Sequence, residues 1–349
     1  PYAAMHKNGL SFKKADELYL SFGNSPDSQE RIKECIIHCV KINESSGSVY
    51  MEKMHMLQNV LHILKCNTIN QYDVANAALS LIDEKRLIMV DHLLCTPECY
   101  NAEKTCAKEI FKLISKVTDG IICDVNAEID MQQFTDKITF SPEQKNAIFS
   151  ALKQKCLVIT GGPGTGKTTI IKYITKIYQK YYNDDICFLA PTGRAARIIS
   201  EVVNQPAYTI NSVLELDEDN TNIHYKELPN KFTIVDEFSM VDIYTAASLF
   251  KSIQQGNRLL ILGDIDQLPS IGPGCVLKDL IESGIIPVIR LEQLYRQENG
   301  NPISNNAKKI KRGCTDLFYN ENFLLYNAYD YEQAADFMIK EYLNAISVY

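Results

Sequence analysis

Residues 161–169 read Gly-Gly-Pro-Gly-Thr-Gly-Lys-Thr-Thr, between an apolar run at 157–160 and a segment with helical apolar spacing at 170–174. This order of strand, glycine-rich turn and helix is that of a phosphate-binding P-loop. The glycines let successive backbone N–H groups curl around a polyphosphate, and the N-terminus of the helix adds partial positive charge. The segment therefore predicts a bound nucleoside triphosphate.

The side chains of this loop have distinct expected roles. Lys167 can reach the terminal phosphates, and the Thr168 hydroxyl can take a place on Mg²⁺. The residues expected to contact the nucleotide are Gly162, Pro163, Gly164, Thr165, Gly166, Lys167, Thr168 and Thr169.

Composition limits the class of protein. The 349 residues suffice for two or three domains, and no apolar run is long enough to cross a membrane. Eleven irregularly spaced cysteines without a secretory leader predict reduced thiols in the cytoplasm. The net charge of −7 argues against an extensively basic surface, but DNA binding depends on local Lys and Arg. Because residue 1 is not Met, we expect a fragment or a processed chain.

The two halves of the chain differ in pattern. Residues 1–137 predict a mainly helical domain, with helices over 29–42 and 53–65, a strand at 86–90 and a hairpin turn near 96–97. From residue 138 strands and amphipathic segments alternate, which predicts an α/β parallel sheet covered on both faces. The expected strands are 157–160, 186–190, 232–235, 259–262 and 287–291. We also expect a helix over 244–255 closed by Gly256, and a polar surface insertion at 217–231.

An acidic pair follows one of these strands. Hydrolysis of ATP needs a group that holds the metal and a group that orients water. Asp236 is suited to the Mg²⁺ shell and Glu237 to the water. Such pairs are also common as solvated loop starts, and the P-loop favours the functional interpretation.

Three further candidate sites follow strands. Gln267 lies where a link between the nucleotide site and another surface is expected, or it caps a turn. Pro191, Thr192 and Arg194 open a helix and can contact a phosphodiester backbone, or they form an ordinary helix start. Arg296 is a candidate arginine finger, or a surface residue beside Tyr295.

Gln144 has two compatible interpretations. Ser141 and Gln144 form a capping box with Pro142 at the first helical position. The Gln144 amide both donates and accepts, so it can also read an adenine edge.

In this order the motifs resemble those of superfamily 1 helicases, specifically the RecD-like branch. The matching segments are 141–144, 161–169, 191–196, 236–240, 263–274 and 295–297. The resemblance implies a RecA-like ATPase lobe that steps 5′ to 3′ along single-stranded DNA, or along a duplex with a single-stranded tail, using ATP and Mg²⁺. It implies no membrane and leaves nuclease or repair partners open.

The resemblance also covers the N-terminal half. Residues 1–16 resemble the helix-hairpin-helix start of stand-alone RecD-type helicases, although Ser11 replaces an expected glycine. Asn211 stands where the family usually has His at a DNA contact. The implied domains are a helix-hairpin-helix-like and winged-helix-like part at 1–137, a first RecA-like lobe at 138–290, and the truncated beginning of a second lobe at 291–349.

Two alternatives to a complete helicase follow. The motifs of a second lobe are not found after Arg296, so the isolated chain is expected to be a nucleotide- and DNA-binding fragment with weak turnover, or an accessory translocase subunit that does not separate strands. Neither Cys-His group, at 35–39 or at 92–106, has the paired short spacing of a zinc site, so we expect no metal other than Mg²⁺.

Overall fold

The computed structural model describes residues 1–2, 10–115, 124–182, 185–216, 223–292, 302–321 and 323–347. By its internal contacts the chain divides into two compact units, Pro1–Gln293 and Leu294–Tyr349. Among the helices of those ranges none is long and apolar enough to cross a membrane.

The N-terminal region is mainly helical and carries a small antiparallel sheet. Its elements are α1 (Phe12–Ser21), α2 (Gln29–Ser45), β1 (Met51–Glu52), α3 (Lys53–Leu64), α4 (Gln71–Asp83), β2 (Ile88–Val90), β3 (Leu93–Cys95) and α5 (Pro97–Ser115). The strands of the sheet lie in the order β1-β3-β2. Arg31 on α2 binds both carboxylate oxygens of Asp16 on α1 at 2.8 Å. The helical character expected of this region is confirmed.

A six-stranded parallel sheet dominates the rest of the first unit. Its strands are β4 (Cys156–Gly161), β5 (Ile186–Ala190), β6 (Ala207–Thr209), β7 (Phe232–Val235), β8 (Arg258–Gly263) and β9 (Val288–Leu291). They lie in the order β6-β5-β7-β8-β4-β9. Its helices are α6 (Val125–Asp136), α7 (Pro142–Lys153), α8 (Lys167–Tyr181), α9 (Gly193–Val203), α10 (Ile210–Leu214), α11 (Ile243–Ser252) and α12 (Val276–Glu282).

Alternate residues of the central strands enter two different cores, as strands buried on both faces require. Val158 and Ile261 join one core, and Ile159 and Leu262 join the other. The α/β arrangement with helices on both faces is therefore confirmed.

Helix α5 belongs to the first of these cores although it precedes the whole sheet in sequence. Its apolar residues Cys99, Ala102 and Cys106 pack with α11 and with the sheet. The Cys99 sulfur lies 3.0 Å from the Tyr244 hydroxyl, and both groups are buried. The domain bounds 1–137, 138–290 and 291–349 stay a prediction, and α5 shares its core with the lobe that follows.

Two local predictions differ from the structure. The hairpin turns at Asp91, which takes a left-handed conformation with φ +55°, whereas Pro97 begins α5, where its missing N–H is not needed. Helix α11 ends at Ser252 because Ile253 pairs with Leu228, so Gly256 does not close it.

A third local prediction concerns the polar insertion expected at 217–231. Residues 217–222 lie outside the described residues. Leu228 is buried, and its N–H donates to the Ser252 carbonyl at 2.9 Å. The described part of this segment is therefore anchored along the end of α11 through its backbone, while Tyr225, Lys226 and Glu227 are exposed, as expected of a surface segment.

The second unit contains α13 (Pro302–Lys311) and α14 (Tyr331–Ser347). Asn306 binds the backbone of Phe318 in both directions, donating to its carbonyl at 2.5 Å and accepting its N–H at 2.9 Å. Tyr326 stacks on Phe337 with ring centroids 5.3 Å apart.

Candidate functional site

The P-loop joins the end of β4 to the start of α8. Gly164 and Gly166 adopt left-handed backbone conformations, with φ of +82° and +90°, which L-residues with a side chain rarely take. Gly166 also meets α7, because a Cβ on it would lie 2.5 Å from Nε2 of Gln144. The loop conformation therefore depends on glycine at 166 for two separate reasons.

Gly161 stands where the loop passes the neighbouring strand β9. A Cβ here would lie 2.8 Å from the Leu291 carbonyl oxygen and 2.9 Å from Oγ1 of Thr165. The buried Thr165 hydroxyl donates to the Gly162 carbonyl at 2.8 Å. These contacts close the loop into a tight cradle.

Lys167 is the charged group of this cradle. Its side chain is buried, and Nζ donates to the carbonyls of Gly161 at 2.5 Å and Gly162 at 3.3 Å. The ammonium is thus held inside the loop, where phosphate oxygens can compete for its hydrogens. Thr168 and Thr169 lie half-buried in the first turn of α8, where N–H groups without helical partners favour anions.

Gln144 supports the loop from α7. Its Oε1 accepts the N–H of Ser141 at 3.1 Å, and its Nε2 donates to the carbonyl of Thr165 at 3.2 Å. The Ser141 hydroxyl accepts the N–H of Gln144, which completes the expected capping box. The contact with Thr165 was not foreseen from the sequence, and adenine recognition by Gln144 stays a prediction.

Asp236 and Glu237 follow β7. Burial raises the pKa of the Asp236 carboxyl, against the hydrogen bond from the Glu237 N–H at 2.9 Å and the charge of Lys167. Burial also raises the pKa of Glu237, and the charges of Asp236 and Asp264 act in the same direction. Lys167 is therefore close enough to the two carboxyls for its charge to affect the pKa of both.

Glu237 carries two signs of a specialised position. Its φ is +54°, a left-handed conformation that is uncommon for a residue with a side chain. Its Oε2 is buried and has no hydrogen-bond partner within the described ranges. Strained residues with unpaired buried acceptors concentrate at functional sites.

Asp264 is a site residue that the sequence analysis did not single out. It is buried at the end of β8, and its Oδ2 lies 3.9 Å from the position that a Cβ on Gly162 would take. Its Oδ1 accepts the N–H of Asp266, and its carbonyl accepts the N–H of Gln267 at 3.1 Å. The sequence did offer one signal for this residue: Asp264 is acidic and directly follows a strand, and that strand proves to be the neighbour of the P-loop strand.

Gln267 lies in the exposed part of the loop that begins at Asp264. The loop is fixed further on by Ser270, whose buried hydroxyl donates to the carbonyls of Gly272 and Gly274 at 2.9 Å. The exposed fractions of Leu268 and Ile271 are 86% and 89%. Gln267 therefore projects on a loop whose two ends are held and whose middle is open to solvent.

The oxygen groups at this edge suit a hard cation. Mg²⁺ prefers carboxylate, hydroxyl and phosphate oxygens, and it is usually bound by few protein ligands together with the substrate phosphates. The Asp236 carboxyl is buried beside Lys167, and its raised pKa indicates a charge without sufficient compensation inside the chain. Asp236 and Thr168 therefore fit a magnesium nucleotide. Among the described residues no group of three or more His, Cys, Asp or Glu could hold a metal ion.

Comparison with known proteins matches two parts of the chain to family models. Residues 1–50 match the "ATP-dependent RecD2 DNA helicase HHH domain", and residues 144–273 match an "AAA domain". The "ATP-dependent RecD2 DNA helicase" of Deinococcus radiodurans is 27% identical over 87% of this chain and 44% of its own length. The "RecBCD enzyme subunit RecD" of Mycobacterium tuberculosis strain H37Rv is 33% identical over 50% of this chain and 35% of its own.

The chain is thus similar to RecD-type DNA helicases both in its N-terminal residues and in the segment that carries the P-loop. It spans less than half the length of each of these two relatives. A solved structure, "Crystal structure of Pif1 helicase from Candida albicans", matches 60% of this chain and 55% of that chain at 20% identity, with a TM-score of 0.38.

The residues expected to contact DNA lie at the carboxyl ends of the neighbouring strands β5 and β6. Thr192 follows β5 and caps α9 by accepting the N–H of Ala195 at 3.3 Å. Asn211, after β6, is exposed in the first turn of α10. Arg194 is exposed, and no hydrogen bond or ion pair is found for it within the described ranges, whereas Arg197 pairs with Glu201 at 2.9 Å.

The positions of the remaining candidates differ. Pro191 is half-buried directly after β5. Arg296 lies outside the described residues, so its role as an arginine finger stays a prediction.

Proposed function

We propose that the RecD-type protein to which this chain belongs is an ATP-dependent DNA helicase. It binds ATP and Mg²⁺ at the carboxyl edge of the sheet and uses hydrolysis to move on single-stranded DNA. The observation that carries this proposal is the grouping of Lys167 with the buried Asp236 and the half-buried Glu237 beside a glycine cradle. The proposed direction is 5′ to 3′ and the proposed location is the cytoplasm.

Each residue of the group has a proposed task. Lys167 leaves the loop carbonyls to bind terminal phosphate oxygens, and Asp236 with Thr168 holds the cation, which neutralises charge on the phosphates. Glu237 accepts a proton from the attacking water or orients it. The raised pKa of its carboxyl and its unpaired Oε2 leave an acceptor available for that water.

DNA is proposed to cross the strand ends that carry Thr192, Arg194 and Asn211. Arg194 supports this because its guanidinium is exposed and has no ion pair in the part of the chain that the structure describes. Phosphate contacts of this kind position a strand without reading its sequence, as a motor on DNA requires.

A Lys167→Ala substitution in the full-length protein tests the assignment. We expect DNA-stimulated ATP hydrolysis to be lost, because the substitution removes the ammonium that the cradle holds. Lys172→Ala, five residues further along α8, is the matched control and should keep the activity. Undiminished hydrolysis in Lys167→Ala would remove the basis of the proposal.

An accessory translocase subunit is a second candidate, favoured by the similarity to a protein named "RecBCD enzyme subunit RecD". Parallel strand-displacement and translocation assays on a tailed duplex separate the two candidates. Translocation without displacement of the complementary strand would favour the subunit.

A further inference from the structure

The loop that carries Gln267 is held on one side by the N-terminal region. The N–H of Gly274 donates to the carbonyl of Gly47 at 2.9 Å. Gly47 lies in the turn between α2 and β1, and a Cβ on it would lie 3.9 Å from the carbonyl oxygen of Ser270. A segment far away in sequence therefore contacts the last part of this loop.

Side-chain packing reinforces the same contact. A Cβ on Gly274 would lie 3.4 Å from Cγ2 of Val49 and 3.1 Å from Cβ of Ile243. The N–H of Ile243 donates to the carbonyl of Pro273 at 2.9 Å. The backbone at Gly274 is thus enclosed between the N-terminal turn and the start of α11.

The turn at 46–50 is itself a rigid support. Asn43 holds it through Nδ2, which donates to the carbonyls of Ser48 at 3.3 Å and Tyr50 at 3.0 Å. Next to Asn43 on the same helix, the buried Glu44 accepts a hydrogen bond from Thr96 at 2.6 Å. A support fixed in this way can determine where the loop lies.

The start of the loop is fixed at the nucleotide site. Asp264 is buried at the end of β8, while Gln267, Leu268 and Ile271 are exposed. Since little covers the middle of the loop, the contacts at its two ends set the position of Gln267. Small displacements of catalytic groups lower turnover strongly.

We propose that the turn at 46–50 is a positioning element for the ATPase site, in which Gly47 and Val49 hold Gly274 and thereby set the place of Gln267. The N-terminal region then affects ATP turnover through this contact without touching the nucleotide. The inference rests on the proposed function only in so far as Gln267 serves ATP hydrolysis.

A pair of glycine substitutions in the full-length protein tests the contact. Gly47 and Gly23 both take left-handed conformations in the N-terminal region, with φ of +95° and +80°. A β-branched side chain strains both turns. A Cβ on Gly23 would meet no atom of the described residues within 4 Å, so Gly23→Val is the matched control for Gly47→Val.

The first readout does not depend on hydrolysis. The 349 residues contain no Trp. With any Trp elsewhere in the full-length protein replaced by Phe, Leu268→Trp places a single indole on the exposed loop. We expect Gly47→Val to lower the fluorescence anisotropy of this indole and Gly23→Val to leave it unchanged. Equal anisotropy in the two variants would overturn the proposal, whether or not the protein hydrolyses ATP.

The second readout separates turnover from binding. We expect Gly47→Val to lower the kcat of DNA-stimulated hydrolysis about tenfold, with the Kd of a fluorescent ATP analogue changed by less than about twofold. Gly23→Val should leave both constants unchanged. Equal kcat values in the two variants would contradict the positioning role, whereas failure of the proposed function would appear as hydrolysis unaffected by Lys167→Ala.

Val49→Ala gives the same test without backbone strain, should Gly47→Val not fold. It removes the Cγ2 that faces Gly274, and Val203→Ala, another half-buried valine, is its control. The same decreases in anisotropy and kcat are expected, smaller in size. No difference between Val49→Ala and Val203→Ala would count against the proposal.

Discussion

The side-chain amide of Gln144 donates to the carbonyl of Thr165 at 3.2 Å, so the helix that precedes the P-loop strand also holds the P-loop. The same side chain caps its own helix by accepting the Ser141 N–H. One residue therefore couples the start of α7 to the loop expected to surround the phosphates. The amide accepts a hydrogen bond with its oxygen and donates one with its nitrogen. An ionised Glu has no donor and Ala has neither group, so neither residue could make both contacts.

Replacement of this residue should weaken nucleotide binding without changing base preference. Loss of one buried hydrogen bond amounts to about 1 kcal/mol, so Gln144→Ala should lower the affinity for ATP and GTP alike by about fivefold. Titration with fluorescent analogues of both nucleotides measures this. Gln154→Ala, at the exposed end of the same helix, should have no effect. A loss restricted to ATP would instead favour contact with the adenine edge.

Neutralising Asp236 should stabilise the nucleotide-free protein while it abolishes hydrolysis. Burial raises the pKa of this carboxyl, so its ionised form is disfavoured in the folded state. Asp236→Asn should therefore raise the free energy of unfolding by about 1 kcal/mol at pH 7. As pH falls through the raised folded-state pKa, the wild-type carboxyl takes up its proton and the gain should shrink.

Urea unfolding at neutral and acidic pH measures this effect. Asp185→Asn, at an exposed carboxylate, is the control and should change little. A gain that grows on acidification has the wrong sign and would contradict the burial argument.

Gly161 in the P-loop and Gly193 at the start of α9 should respond oppositely to replacement by alanine. In Gly161→Ala the new methyl meets the Leu291 backbone and Thr165, and such overpacking costs about 1–3 kcal/mol. Gly193 begins α9 with open space around its Cα, so Gly193→Ala should be neutral or stabilise by up to about 1 kcal/mol. Thermal unfolding compares them, and similar melting temperatures would refute the packing argument.

Arg194 and Arg197 allow a matched test of the proposed DNA contact. Both are exposed on α9, but Arg197 is paired with Glu201. Arg194→Ala should weaken binding of single-stranded DNA and reduce the slope of log affinity against log salt by about one. Arg197→Ala should leave that slope unchanged. Fluorescence anisotropy of a labelled oligonucleotide over a range of salt concentrations measures both, and equal slopes would argue against a phosphate contact by Arg194.

The long buried strands and the P-loop were predictable from local pattern. Apolar runs such as 186–190 and 232–235 coincide with β5 and β7, because strands buried on both faces are almost continuously hydrophobic. The capping box at Ser141 was also readable, since its two partners lie three residues apart. These features depend on residues that are neighbours in sequence.

Features that depend on distant partners were missed. Strand β6 has only three residues, of which none is buried, so its sequence has no pattern that distinguishes a strand. The helix predicted over 244–255 is longer than the observed α11, because α11 ends where Ile253 pairs with the distant Leu228. Asp264 and the bond from Gln144 to Thr165 became visible only once the loop and its neighbouring strands lay together.

Helix α5 places a limit on how this protein can be shortened. The segment that matches the AAA family starts at residue 144, yet α5 covers one face of the sheet with Cys99, Ala102 and Cys106. A recombinant lobe that begins at the family boundary would expose that face to water and aggregate. Expression of the lobe with the six-stranded sheet alone therefore has to retain Pro97–Ser115, supplied on the same chain or as a separate peptide.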